Sequence, residues 1–334
     1  MLYPLTDSTV GIELSLRETP STVIDGVLGY NPAPTLLGKS YINGFLDLSF
    51  LNIGGTARQA AFRYQRLNPT SSQLQFQYLE PWIFSVPFDA AILLHRYDED
   101  SLYVATHLEA MFSLHSFSSI TLSAGAEYDI ITPGALKVVN SSTIASGTLR
   151  FIFDNRDDPI AIQHGYRIIL GASYGAKSIT DSNNFQQTSP IRTLEADAEG
   201  AVSMGFARLV GVGLLSVKQV SSIALEQSDL FQVGGLATLR GYREAAFLAS
   251  QFAIGKLELR YMLASRSYFG LFFDAGVLER MAYRSLASTQ WSPIGYGLTF
   301  LFETPIGYVQ AAVALARGQN FDQAVLHFGL KTSL

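Results

Sequence analysis

Period-two alternation is the feature that most narrows the folds open to this chain. In Gln73-Leu74-Gln75-Phe76-Gln77-Tyr78 one face is Leu, Phe and Tyr and the other is all glutamine. In Leu194-Glu195-Ala196-Asp197-Ala198-Glu199-Gly200 three carboxylates share one face and small or apolar groups the other. Successive side chains of a strand point to opposite sides of a sheet, so such segments have one wet and one dry face and cannot be buried central strands. Residues 120–128, 166–174 and 257–261 read the same way, and helical periodicity is weak throughout.

Strands are predicted at 22–31, 40–53, 56–67, 72–83, 87–97, 102–115, 118–130, 143–154, 165–176, 192–204 and 207–220. Five more follow at 251–263, 267–278, 293–303, 307–316 and 324–334, making sixteen. Most connections are short and carry turn chemistry, as at Asn68-Pro69, Asp98-Glu99-Asp100, Thr132-Pro133-Gly134 and Thr304-Pro305; longer ones lie near 155–164, 177–190, 222–250 and 279–291. An even number of alternating strands of about ten residues is the pattern of an all-β, sixteen-stranded antiparallel transmembrane barrel of the outer-membrane type. Nowhere is there a run of about 18 apolar residues, which excludes a membrane-spanning helix.

A soluble β-sandwich also alternates, with its apolar face inward. Three features favour the membrane barrel: the purity of the apolar faces, the Glu, Asp, Arg and Gln opposite them, and aromatics at strand ends. Tyr30, Tyr41, Trp82, Trp291 and Tyr308 are candidates for the interfacial girdles. The sequence contains no cysteine, which excludes a disulfide framework, thiolate metal sites and a cysteine nucleophile. A net charge of -5 without any Lys/Arg-rich block argues against a nucleic-acid partner. No basic region followed by an apolar core opens the sequence, so no secretory signal is visible. The alternating segment from Val10 to the proline at Pro20 reads as the end of a preceding small domain, or a linker, with the barrel occupying 21–334.

One pair of motifs stands out from this rhythm. Gly234-Gly235-Leu236-Ala237-Thr238-Leu239-Arg240-Gly241-Tyr242 sets an arginine in a glycine-rich loop after the eleventh strand, and Arg243 follows it closely. In Phe272-Phe273-Asp274-Ala275-Gly276 an aspartate interrupts an otherwise apolar strand, where an unpaired carboxylate is costly. Alternation puts Phe269, Leu271, Phe273, Ala275 and Val277 toward lipid and Phe272, Asp274 and Gly276 inward, with Lys256, Glu258 and Arg260 inward on the preceding strand. A guanidinium folded into the lumen can take both carboxylates, and Gly241 lets the chain turn there without a Cβ penalty.

These residues carry a family resemblance. Leu239-Arg240-Gly241-Tyr242 resembles the (V/L)RG(F/Y) motif, and Phe272-x-Asp274-x-Gly276 the FxDxG motif, of the BamA/TamA and two-partner-secretion superfamily of outer-membrane assembly and translocation barrels. The segment Asp154-Asn155-Arg156-Asp157, with Gly165 beyond it, is similar to that family's DxRD…G strand end. Leu16-Arg17-Glu18-Thr19-Pro20 ahead of Gly26 and Gly29 resembles the junction between a last periplasmic POTRA domain and the first barrel strand. The end of the chain, His327 to Leu334, is similar to a barrel-assembly signal, though it closes on Leu rather than an aromatic.

The resemblance implies a loop between strands 11 and 12 tucked into the lumen, its arginine contacting the FxDxG aspartate as a lock. It implies a weak seam between the first and last strands, loosened by Gly26, Gly29 and Gly329, where a client strand is templated. The implied function is insertion or translocation of polypeptides, without cofactor. The implied partners are outer-membrane lipids, unfolded outer-membrane or secreted polypeptides, and periplasmic or lipoprotein accessory subunits. Partner-specific secretion, an autotransporter pore and a passive diffusion porin remain alternatives. A barrel-embedded hydrolase has little support: His95, His107, His115, His164 and His327 form no HxxxH or HxH pair, and GxSxG, GxGxxG and GxxxxGK[ST] are absent.

Overall fold

A computed structural model describes residues 2–6, 9–12, 21–31, 41–66, 71–83, 86–99, 102–116, 119–181, 183–205, 208–282, 287–304 and 307–331. Its sixteen long strands are those the alternation predicts. They are β1 (Thr22–Asn31), β2 (Tyr41–Ile53), β3 (Arg58–Arg66), β4 (Ser71–Glu80), β5 (Phe88–Glu99), β6 (Tyr103–Ser116), β7 (Ile120–Pro133) and β8 (Ser141–Asp154). There follow β9 (Gly165–Thr180), β10 (Gln186–Ser203), β11 (Leu209–Ser222), β12 (Gln251–Ala264), β13 (Ser267–Arg280), β14 (Ile294–Thr304), β15 (Gly307–Ala316) and β16 (Val325–Lys331). Each pairs antiparallel with the next, and the ring order of the barrel brings β16 beside β1. With an even strand count both ends of the barrel chain lie at one mouth, called here the terminal end; the opposite mouth is the far end.

Alternation sorts the two surfaces. Along β13, Phe269, Leu271, Phe273 and Val277 are exposed on the outside while Tyr268, Phe272 and Asp274 are buried inside. Inward polar groups find partners across the ladder: Arg63 donates to Asp47 at 2.6 Å, Lys218 to Glu195 at 3.1 Å, and His107 Nδ1 lies 2.7 Å from Asp129. The dry outer wall and the paired, charged inner wall are the reverse of a soluble β-protein, as a barrel in lipid requires.

Several sequence readings shift. The segment 177–190 reads as a long connection because it is rich in Ser, Thr, Asn and Gln, yet β9 and β10 run on through it and are joined at 181–185. Outside a bilayer neither face of a hairpin must be apolar, so the amphipathic signal vanishes there while the ladder persists. Pro190, paired with Ala176, fits because β10 meets β11 only from Ile191 onward, leaving the proline's missing donor on an open edge. Tyr308 is not a girdle residue: it is 2% exposed and faces inward at the terminal end. Trp291 instead packs against Phe247 of the arginine loop. Trp82 is exposed; the side chains of Tyr30 and Tyr41 lie outside the described residues. At the start of the chain, Leu2–Thr6 and Thr9–Ile12 form a two-stranded sheet, and 13–20, with the proline-ended motif, lies outside the described residues.

Candidate functional site

The connection from β11 to β12 enters the lumen from the far end as a hairpin whose arms, Phe231–Val233 and Phe247–Ala249, pair antiparallel. Between them Gly235–Thr238 makes one helical turn, fixed by the Thr238 hydroxyl, which donates to the Gly234 carbonyl at 2.6 Å and accepts from its N–H at 2.7 Å. Val233, Leu239 and Ala249 are buried against Phe252, Ile254 and Leu278 of the inner wall, so the loop is held first by apolar contact.

Arg240 stands at the tip. Its Nε and Nη2 donate to the two carboxylate oxygens of Asp274 at 2.8 and 2.6 Å, and its backbone N–H adds a third bond at 3.1 Å. Its Nη1 donates to Glu258, whose second oxygen accepts from Arg260 Nε at 2.7 Å. The guanidinium lies 3.8 Å over the Phe272 ring, and that of Arg260 lies 4.4 Å over Tyr268. The side chains of Arg240 and Asp274 are 2% and 0% exposed. Two cations and two carboxylates thus alternate in a buried site, an arrangement that keeps buried charges tolerable.

The rest of the motif shapes this pocket. Gly241 turns the chain at φ +91° and donates its N–H to His327 Nε2 of β16 at 3.2 Å. The Tyr242 hydroxyl is 3.3 Å from both the N–H and the carbonyl of Ile294. Lys256 donates to the Ala237 carbonyl at 2.5 Å, whereas Arg243 is exposed and outside the ion-pair set. Gly276 lies where a Cβ would touch Ile254 and Leu278 at 3.0 Å. Gly329 leaves room for Leu236, which a Cβ would meet at 3.0 Å. Gly26 sits beside β2, where a Cβ would meet the Phe45 carbonyl at 3.0 Å, and Gly29 pairs with Asn43. Asp154, Arg156, Asp157 and Gly165 gather at the terminal end, away from Arg240.

Sequence reasoning missed His327 as a partner of the loop and Gly295, whose missing side chain is filled by the Arg240 carbonyl. It also missed a second ionic anchor at the far end, where Lys177 of β9 donates to Asp229 and lies 3.8 Å from Glu226, all three side chains buried. Lys177 shares the inward parity of Ser173 and Gly175, the one signal that could have found it. Removing this cation by Lys177→Met is expected to leave the barrel folded and to speed limited proteolysis within 223–250 about tenfold, a fall of roughly 1.4 kcal/mol in the free energy of local opening. A protected loop in that variant would show that the anchor contributes nothing. As for catalysis, the two ring nitrogens of His107 face Asp129 at 2.7 Å and Glu109 at 3.7 Å, two carboxylates rather than a nucleophile and its orienting acid. Among the described residues no cluster of His, Asp or Glu suits a metal ion.

A sixteen-stranded barrel with an apolar outer wall, a charged inner wall and an arginine loop paired in its lumen is an outer-membrane β-barrel protein. Residues 52–333 match the Omp85 superfamily domain, and the chain belongs to that superfamily, whose barrels insert or secrete polypeptides at the outer membrane. Among solved structures, BamA from Haemophilus ducreyi lacking POTRA domains 1–3 superposes with a TM-score of 0.62 at 13% identity, over 98% of this chain and 73% of that one. CdiB from Acinetobacter baumannii gives a TM-score of 0.47 at 11% identity, over 92% and 64%. At such identities the likeness is one of fold. Comparison with curated protein sequences gives no match.

Proposed function

We propose that the chain inserts polypeptides into the outer membrane, with the arginine loop as a lock on the seam between β1 and β16. The observation that carries this reading is the loop's direct hold on the last strand: Gly241 bonds His327 and Leu236 fills the space over Gly329. The lock at Asp274 and the seam at β16 are therefore two ends of one rigid tip. Outward side chains beside the seam are among the most exposed of the outer wall, Leu326 at 77%, Phe328 at 73% and Ile24 at 70%, as expected where few neighbours flank a strand. An edge of that kind can pair with an incoming strand by β-augmentation. Residues 1–20 then lead into the barrel from a periplasmic domain that receives the client, the terminal end faces the periplasm, and accessory subunits dock there. The chemistry is non-covalent throughout and draws on no cofactor.

The test is reconstitution in lipid vesicles with an unfolded outer-membrane protein as client. The intact chain is expected to accelerate its insertion, and His327→Leu, which removes the acceptor for Gly241, to reduce that rate several-fold; His327→Gln, which restores an acceptor, should recover most of it. A steady, uniform open channel with no acceleration would overturn the reading in favour of a passive porin.

A further inference from the structure

The DxRD…G motif has no part in the arginine lock, and its place in the structure gives it a task of its own. The connection of β8 to β9, residues 155–164, also folds into the barrel, but from the terminal end. Its neck is closed by Arg156, which donates to Asp154 at 2.9 and 2.8 Å and to Glu199 of β10 at 2.8 Å. At Gly165, with φ +92°, the chain passes so close to the Asn155 carbonyl that a side chain has no room. Two carboxylates hold the loop's own backbone: Asp157 accepts from the N–H groups of Gln163 and His164 at 3.0 and 3.1 Å, and Asp158 from those of Ile160 and Ala161 at 2.8 and 2.9 Å.

The tip so formed is apolar and deeply inserted. Ala161 and Ile162 are 0% and 1% exposed and share a cluster with Val212 of β11, Met262 of β12, Tyr268 of β13, Leu301 of β14 and Tyr308 of β15. The loop thus reaches from β8 to strands as far as β15 across the terminal mouth. It is fastened there by Arg266 in the β12–β13 turn, which donates to Asp158 at 2.6 Å and to the Tyr308 hydroxyl at 2.9 Å. Gln163 adds a bond to the Ser265 carbonyl at 3.2 Å. Between this loop and the arginine loop lies a cavity of about 520 Å³, with Pro159 and Ile160 on one side and Leu236, Ala237 and Arg240 on the other.

We propose that residues 155–164 form a second seal of the lumen, at the mouth opposite the arginine loop and fastened by contacts of its own. The two inward loops share no bond described above; each is anchored to the wall by its own ion pair and its own apolar cluster, and the nearest link between them runs through the wall, where Arg260 lies over Tyr268. Release of the arginine loop from Asp274 therefore leaves the cavity between the loops shut off from the terminal mouth while the lock is worked.

The chain's lack of cysteine makes the test direct. Gln310, which lines the cavity from β15, is changed to Gln310→Cys, and the protein is placed in lipid nanodiscs with a charged, membrane-impermeant thiol reagent that reaches both mouths. Labelling is expected to be slow in this background and at least tenfold faster when Arg266→Gln or Ile162→Ser is added, with the heat-modifiable gel mobility of a folded barrel retained. The two substitutions loosen the loop by different means, one ionic and one apolar, so a folding failure in one leaves the other to decide. Fast labelling of Gln310→Cys alone, or slow labelling in both folded variants, would overturn the seal.

Discussion

Arg240→Met is expected to destabilise the folded barrel by about 3–5 kcal/mol, the usual consequence of stranding one partner of a buried ion pair. Asp274 is fully buried and takes three of its hydrogen bonds from Arg240, so the substitution leaves one backbone N–H to satisfy a carboxylate with no access to water. Glu258 suffers less, since Arg260 still donates to it. Adding Asp274→Leu to Arg240→Met removes the orphaned charge, and the double variant is expected to regain most of the loss, because a buried ion pair and an apolar replacement are often close in free energy. Urea titration in lipid, with tryptophan fluorescence and gel mobility as readouts, measures all three differences. If the double variant is as stable as the parent and still inserts client at the parental rate, the ion pair is structural dressing. If stability returns and insertion does not, the charged pairing itself is what the lock requires. A loss below 1 kcal/mol in the single variant would mean that water reaches Asp274.

A single methyl group should do comparable damage from the wall side. In β14, a Cβ at Gly295 would overlap the Arg240 carbonyl oxygen, so Gly295→Ala is expected to push the loop off its seat. Overpacking of this kind costs typically about 1–3 kcal/mol. Here the strand is fixed by β13 and β15 on either side, so the loop must be the part that moves. The expected signature is rapid cleavage within 223–250 by added protease, a fall in client insertion to near background, and an intact barrel. Gly255→Ala is the matched control, since a Cβ there meets nothing within 4 Å, and it should leave stability and cleavage close to the parent. Protection of the loop in the Gly295 variant would show that the seat has slack.

Much of the barrel was legible because a lipid-facing strand must alternate, as residues 73–78 of β4, 194–200 of β10 and 269–277 of β13 do. The meeting of an arginine with Asp274 was legible for a related reason: a carboxylate in an apolar strand demands a cation, and the glycine-rich loop held one nearby. What escaped had no such signature. Lys177 and Asp229 sit in polar surroundings that read as loop, and only the folded chain shows that water is excluded from them. Ile160, Ala161 and Ile162 are too few to mark an element, so an inward turn at 155–164 could not be told from a solvated connection. His327 is one of five scattered histidines, and its partner is a backbone N–H, a group that no sequence pattern singles out.

The unequal length of the strands has a consequence for the far rim. A strand tilted about 45° crosses the hydrocarbon in roughly 9–11 residues, whereas β9 has 16 and β10 has 18. At the far end β10 runs on through 186–190, past the point where β11 stops pairing with it, while β8 flanks β9 up to Thr180, so the β9–β10 hairpin keeps one open edge beside the mouth from which the arginine loop descends. The rim there is thus a hairpin with ladder groups of 186–190 left unpaired by β11. On the orientation proposed above this edge faces the cell exterior, and residues 181–185, which join the two strands away from the arginine site, are the place to graft a tag that reports on that surface without touching the lock.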